Sequence, residues 1–280
     1  MALLSVVHFS DIHLPFPEGT GGEWGMLHPK RALAAVNYAL RRARRYADGM
    51  EKIRALHAYL DAHPADFLFY TGDSVNYGLE SELLRASRVV RGLLARARVR
   101  AVAVPGNHDL YTPRAVRDYA RAFSFCEPAA GRPEAVELSE QAAAVTLSSA
   151  VPHLAFWDST GSVPAEELDR LAALLDREQM RRKAVVFLLL HYPPKDAHDL
   201  HALRNPTALL DLLAAHPNVQ VCHGHRHRRG VEALSATQKQ YGAGSLTGEG
   251  RAGFWRYELD GGVLSATPYR YASAAFYPDT

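Results

Sequence analysis

Leu3-Leu4-Ser5-Val6-Val7-His8-Phe9 runs without a break into Ser10-Asp11-Ile12-His13. A short apolar run with adjacent β-branched residues reads as a buried strand, and the polar residues after it as the turn at its carboxyl end. The same construction recurs down the chain. Asp66-Phe67-Leu68-Phe69-Tyr70 leads into Thr71-Gly72-Asp73, and Val99-Arg100-Ala101-Val102-Ala103-Val104 into Pro105-Gly106-Asn107-His108-Asp109. Ala184-Val185-Val186-Phe187-Leu188-Leu189-Leu190 ends in His191-Tyr192-Pro193-Pro194, and Val219-Gln220-Val221-Cys222 in His223-Gly224-His225-Arg226-His227. Stretches 79–98 and 166–182 between these runs are amphipathic and read as crossover helices. Strands alternating with helices specify an α/β fold, and in open α/β sheets ligands sit outside the carboxyl ends of the strands. The turns are therefore expected to converge on one site.

What they would bring there is metal-binding chemistry. Asp11 and His13 are one residue apart, which on an extended strand end aims both side chains the same way. A carboxylate with an imidazole suits Mn, Fe or Zn, whereas Mg and Ca prefer oxygen alone. Asp73 follows Gly72, whose missing Cβ permits close backbone approach, and its two oxygens could bridge ions roughly 3.5–4 Å apart. Asn107 adds a neutral amide oxygen, and His191, His225 and His227 add imidazoles, completing a second ion without further negative charge. Low site charge favours a bound phosphate anion. His8, inside the first strand, reads as a hydrogen-bonded core histidine. His223 falls outside the Gly-His-x-His pattern and also reads as structural, while His198 and His201 are more simply surface groups.

The ordered set Asp-x-His, Gly-Asp, Gly-Asn-His-Asp, His and Gly-His-x-His resembles the calcineurin-like metallophosphoesterase superfamily from residue 4 to about 230. The resemblance implies a metallophosphoesterase four-layer fold, a central β-sandwich flanked by helices, here with a helical insertion after the first strand. It implies that Asp11, His13, Asp73 and His227 hold one divalent metal ion, and Asp73, Asn107, His191 and His225 the other. Manganese is the first expectation, with iron, zinc and cobalt as alternatives. His108 would act on the phosphate or its leaving oxygen, with Asp109 fixing its ring. The activity expected is hydrolysis of a phosphodiester or pyrophosphate bond in a small or amphiphilic nucleotide, by attack of a hydroxide held between the metals. A lipid version, hydrolysis of a UDP-2,3-diacylglucosamine-type pyrophosphate at a membrane surface, stands as an alternative, although enzymes known for it carry Gly-Asn-Arg-Asp where this chain has Gly106-Asn107-His108-Asp109. An alternative of another class is a metal-binding scaffold subunit without catalysis, against which the intact His108 argues.

Composition narrows the setting more than the chemistry. The chain has 280 residues, of which 48% are hydrophobic, enough to bury a full core in a single domain spanning 1–280. A formal net charge of +2 is no argument for a nucleic-acid partner. Its 2 cysteines are too few for a disulfide framework and read as free thiols in a reducing, cytoplasmic setting. The apolar start lacks the basic flank and cleavage site of a signal peptide, and no apolar run reaches the ~18 residues that span a bilayer. The glycine-rich stretch 242–250 lacks Gly-Lys-Ser/Thr, so it reads as a flexible turn rather than a P-loop. Trp255, Tyr257 and Leu259, then 263–271, read as a closing hairpin around Asp260-Gly261-Gly262, completing the second sheet.

The interval 14–64 exceeds what a simple connection requires. A turn-rich loop over 15–22 precedes a helical pattern from about 29 to 47, in which Leu33, Val36, Leu40 and Ala43 share a face and Arg41, Arg42, Arg44 and Arg45 crowd the end. A second helical pattern carries Ile53, Leu56, Tyr59 and Leu60. Two readings stand. One is a helical hairpin on the core with a solvated arginine face; the other is a cap meeting an anionic amphiphile, placing the protein peripherally on the inner membrane face. Nucleic acid is the least favoured partner, because aromatic residues interleave poorly with the basic run.

Overall fold

A computed structural model describes residues 3–14, 31, 46–97, 100–126, 132–153, 158–196 and 201–279. The helix expected over 29–47 lies outside them except at Arg31, Tyr46 and Ala47, and so do the loop over 15–22 and His198. The strands are β1 (Leu4–Phe9), β2 (Phe67–Tyr70), β3 (Arg100–Ala103), β4 (Glu134–Ser139), β5 (Ala142–Thr146), β6 (Val185–Leu189), β7 (Val219–His223), β8 (Arg229–Ala233), β9 (Lys239–Ala243), β10 (Gly253–Asp260), β11 (Val263–Ala272) and β12 (Ala275–Pro278). Helices α1 (Gly49–Ala62), α2 (Glu80–Ala97), α3 (Pro113–Ala122), α4 (Ala165–Leu175), α5 (Glu178–Arg181) and α6 (Pro206–Ala214) connect them.

Two six-stranded sheets result, ordered β12-β11-β10-β1-β2-β3 and β4-β5-β6-β7-β9-β8. Strands β1, β2 and β3 are mutually parallel, as are β5, β6, β7 and β9, while β10, β11 and β12 in the first sheet and β4 and β8 in the second join antiparallel. Side chains alternate across a strand. Leu4 and Val6 of β1 therefore enter the core between the sheets with Phe69, Val102, Phe187, Leu189 and Tyr257, while Val7 and Phe9 face the other way onto a core shared with helix residues. With both faces buried, the central strands read as continuous apolar runs instead of alternating ones. On the helical side, Leu83, Ala86, Val90 and Leu93 of α2 are buried at spacings of three and four, the stripe that an amphipathic helix presents to a core. This is the expected α/β architecture, a β-sandwich with flanking helices.

The structure corrects three expectations. Residues 166–182 do not form one helix: α4 stops at Leu175, and Arg177 adopts an extended conformation (φ −59°, ψ 135°) before α5 begins. That break resets the helical phase and buries Met180. The closing hairpin joins the first sheet, because β10 pairs antiparallel along the free edge of β1 from Leu4–Leu259 to His8–Trp255. The glycine-rich stretch is no flexible turn, since 242–248 is buried and bonded to the turn after β1. Among the described residues no helix is long and apolar enough to cross a membrane.

Cys126 and Cys222 are buried free thiols, and burial pushes both up to about 12. At pH 8 they should stay protonated and resist a thiol reagent in the native protein, both titrating in denaturant. Phe187 is 1% exposed and meets Phe69 edge-on across the sandwich at 5.3 Å. Phe187→Ala should lower unfolding free energy by about 3–5 kcal/mol in urea titration, the range for truncating a buried phenylalanine.

Candidate metal centre

The ladder between β1 and β2 continues past the strand ends. Asp11 N donates to the Gly72 carbonyl (2.9 Å), His13 N to that of Asp73 (3.0 Å) and Leu14 N to that of Ser74 (3.0 Å), so the first two ligand turns lie side by side. Gly72, at φ +95°, backs onto the third turn: a Cβ there would stand 2.7 Å from Gly106 Cα. Gly224 does the same for the last turn, where a Cβ would come within 2.6 Å of Asp11 Oδ2. Gly72 is needed because backbone meets backbone there, and Gly224 because the Ser10 and Asp11 side chains fill the space a Cβ would take. Asp11, His13, Asp73, His225 and His227 have φ of 52°, 34°, 57°, 67° and 50°, and the only other described non-glycine residues with positive φ are Ser273 and Ala274. Left-handed backbone costs such residues roughly 1–2 kcal/mol each and persists where the surroundings impose it.

The turns bring donor atoms into two adjoining groups. In the first, Asp11, His13, Asp73 and His227 offer ligand atoms that all lie within 4.8 Å of one another. His13 Nε2 and His227 Nε2 face each other at 3.1 Å, and His227 Nε2 is 3.0 Å from Asp11 Oδ1. In the second, Asn107 Oδ1 lies 3.2 Å from His191 Nε2 and 3.3 Å from His225 Nδ1. Asp73 Oδ2 stands between the groups, 3.6 Å from His13 Nε2 and 3.5 Å from His191 Nε2. Its partner Oδ1 is occupied by the His108 N–H at 2.8 Å.

The far side of each ring is anchored. His13 Nδ1 donates to the Val75 carbonyl (3.1 Å), His191 Nδ1 to that of Thr71 (2.6 Å) and His225 Nε2 to that of His201 (2.8 Å). Each bond fixes a proton on the outer nitrogen, so the inner one is the nitrogen that a cation would meet. His8, buried between Tyr257 and Thr71 hydroxyls, supports the Thr71 end. His223 Nδ1 turns to the Gly224 carbonyl at 2.9 Å. Burial, together with its neighbour His191, holds His225 well below the usual imidazole range. Burial alone would raise Asp73, yet the surrounding His191, His108 and His13 hold it well below the usual carboxylate range. Against burial, Asp73 raises His191 to about 9.

The donor set fits divalent metal ions. Asp11 Oδ1 is buried and accepts no hydrogen bond, although imidazole nitrogens stand near it, and an orphaned buried carboxylate oxygen among convergent lone pairs is what an ion would satisfy.

Asp109 departs from the expected role. Its carboxylate accepts the N–H groups of Asp73 (2.8 Å), Ser74 (2.8 Å) and Gly106 (2.9 Å), bracing the second turn against the third, while the His108 ring is set by Nδ1 donating to the Asn76 carbonyl at 2.8 Å. Both Asp109 oxygens turn to backbone amides, and the ring takes its hydrogen bond from elsewhere. Burial and the nearby Asp73 raise Asp109 to about 7.

Several supporting side chains were not anticipated. Glu82 accepts from Asn76, Tyr77 and Leu79 N–H, while Arg31 donates to the Tyr77 and Gly78 carbonyls, holding from both sides the loop that carries Asn76. The spacing Leu79-x-x-Glu82, a glutamate reaching back to the start of a helix, was the available signal. Ser245 and Thr247 hydroxyls donate to the carbonyls of Asp11 and Ile12 (2.7 Å each), and the buried Lys52 Nζ donates to that of Thr247.

The calcineurin-like phosphoesterase family model matches residues 4–229, so the chain belongs to that family. Its fold is similar to that of a dimetal phosphatase from Danio rerio, at 14% identity and TM-score 0.67 over 98% of each chain. A purple acid phosphatase from yellow lupin (Lupinus luteus) seeds superposes with TM-score 0.63 at 12% identity, over 99% of this chain and 53% of that one. A 5'-nucleotidase from Candida albicans does so with TM-score 0.53 at 11% identity, over 97% and 52%. No curated protein sequence matches the chain. The protein is accordingly a phosphoester hydrolase of the calcineurin-like family.

Gly224→Ala should weaken manganese binding about tenfold or more, as displacing a ligand-orienting contact does. Isothermal titration of the metal-free protein reads this directly, and undiminished affinity would mean that the last turn does not depend on the close approach.

Proposed function

We propose that this chain is a binuclear-metal hydrolase of phosphodiester or pyrophosphate bonds in a small or amphiphilic nucleotide. The observation that carries this is the placement of Asp73 Oδ2, nearly equidistant from His13 Nε2 and His191 Nε2, one carboxylate oxygen serving two donor groups. Asp11, His13, Asp73 and His227 would hold the first ion, and Asp73, Asn107, His191 and His225 the second. Mixed oxygen and imidazole donors suit manganese first, with iron, zinc or cobalt able to replace it. When bound, such a pair supplies positive charge that lowers the pKa of water and draws charge off phosphoryl oxygens.

The remaining work falls to the chain. His108 Nδ1 donates to the Asn76 carbonyl, and Nε2 would donate to the leaving oxygen while the ring carries both protons. Asp109 acts through the backbone, keeping the Gly106 and Asp73 turns in register. Tyr192 packs against the His225 ring at 4.1 Å between centroids and keeps water from that side. The whole is read as one domain, with 14–64 an insertion within it. Two buried free cysteines fit a cytoplasmic setting.

The test is manganese-dependent turnover of bis-p-nitrophenyl phosphate, p-nitrophenyl phosphate, cyclic AMP and UDP-2,3-diacylglucosamine, with and without detergent micelles. Soluble diesters or the pyrophosphate should turn over. His108→Ala should lower kcat by about 10²–10⁴-fold with both metals retained, the usual worth of a proton donor. Preference for the lipid in micelles would move the reading to the membrane surface. Equal turnover by the variant would remove His108 from catalysis, and no turnover with any metal would leave a scaffold.

A further inference from the structure

Three of the four imidazoles in the two donor groups are anchored on backbone carbonyls, which can only accept. His227 differs. Its Nδ1 lies 3.0 Å from the hydroxyl of Tyr46, a fully buried side chain that immediately precedes the turn into α1 and whose ring also packs against His13 at 5.1 Å. A phenol both donates and accepts. If it accepts the Nδ1 proton, Nε2 carries a lone pair and can bind a cation. If instead it donates to Nδ1, the ring proton sits on Nε2, 3.0 Å from Asp11 Oδ1, and that nitrogen is closed to metal. The backbone thus fixes the outer proton of three rings, and on one ring a side chain can set it either way.

We propose that Tyr46 is a positioning residue for the first metal position, its hydroxyl deciding which nitrogen of His227 carries the proton and hence how tightly that position holds a divalent cation. The inference rests on the ligand assignment above and extends it to the interval between the first two ligand motifs, which also supplies Arg31 to the loop behind His108. Two elements of the site therefore take support from one stretch of sequence. Occupancy of the first position becomes coupled to the seating of Tyr46, whereas both imidazoles of the second position are anchored on backbone carbonyls, those of Thr71 and His201.

The experiment is manganese binding to the full metal-free chain, followed by the free-ion electron paramagnetic resonance signal, for the unaltered protein, Tyr46→Phe and His227→Ala. Tyr46→Phe removes one oxygen and keeps the ring, so the thermal midpoint of the metal-free protein should not move. The variant should bind one ion as the unaltered protein does and the other about 10–100-fold more weakly, the usual consequence of losing a partner to a metal-binding histidine. Nitrogen NMR of the metal-free variant should show a changed proton distribution on the His227 ring. Two unaltered affinities would overturn the proposal, and so would equal weakening of both ions, which would make Tyr46 a general packing residue. If His227→Ala itself bound two ions normally, the ligand assignment would fall, an outcome distinguishable from failure of the role given to Tyr46.

Discussion

The pairing of β1 with β2 does not stop where the strands stop, and the site depends on that continuation. Three further backbone bonds carry Asp11, His13 and Leu14 alongside Gly72, Asp73 and Ser74. Regular strand geometry would send alternate side chains to opposite faces. Left-handed φ at Asp11, His13 and Asp73 turns the chain instead, so that acid and imidazole side chains from two neighbouring strands point into a common space. The strain is held by the ladder, by the Asp109 carboxylate and by the Ser245 and Thr247 hydroxyls, none of which touches the space itself.

Electrostatics gives the same arrangement a second reason. Asp11, Asp73 and Asp109 are buried within three adjoining turns, a concentration of carboxylate that water cannot relieve. Asp109 takes three N–H donors and still rises to about 7, because burial and Asp73 outweigh them. Asp73 falls because imidazoles surround it. Acid and imidazole are thus set against each other around one oxygen, and divalent charge at that place would satisfy both Asp73 and the orphaned Asp11 Oδ1.

The motifs were legible because each is local. A strand ending in Asp-x-His or Gly-Asp carries its own boundary signals, and the strands β1, β2, β3, β6 and β7 lie within a residue or two of their expected limits. What sequence spacing could not give is which distant group stands behind a ligand. Ser245 lies 234 residues from Asp11, and its glycine-rich surroundings advertise a turn rather than a clamp. Asp109 follows His108 directly, which invited a contact between them, yet neighbours on a turn point apart and the acid went to backbone amides instead. The hairpin of β10 and β11 was recognisable from its own pattern, but its sheet was not, because apolar side chains on β10 would suit either sheet edge. Only the free edge of β1 decided it.

The same reasoning bounds what the centre can say about substrate. Among the described residues, the groups around the donor atoms are those that would hold cations or that orient such donors, and a phosphoryl group is the shared part of any phosphoester. Discrimination must come from side chains at the rim. There the ring of His225 is held by the His201 carbonyl, the His201 imidazole by the Ser159 hydroxyl at 2.6 Å, and Tyr192 by the Ser159 carbonyl at 2.5 Å. On the opposite rim, Tyr111 stacks on His108 at 5.6 Å, next to the loop that Arg31 and Glu82 hold. The first set adjoins His225 through a hydrogen bond and the second adjoins His108 through ring stacking, so a substrate group held by either set would be felt at that imidazole through a single contact. A donor set shared across a family can in this way serve one substrate without a change in its own residues.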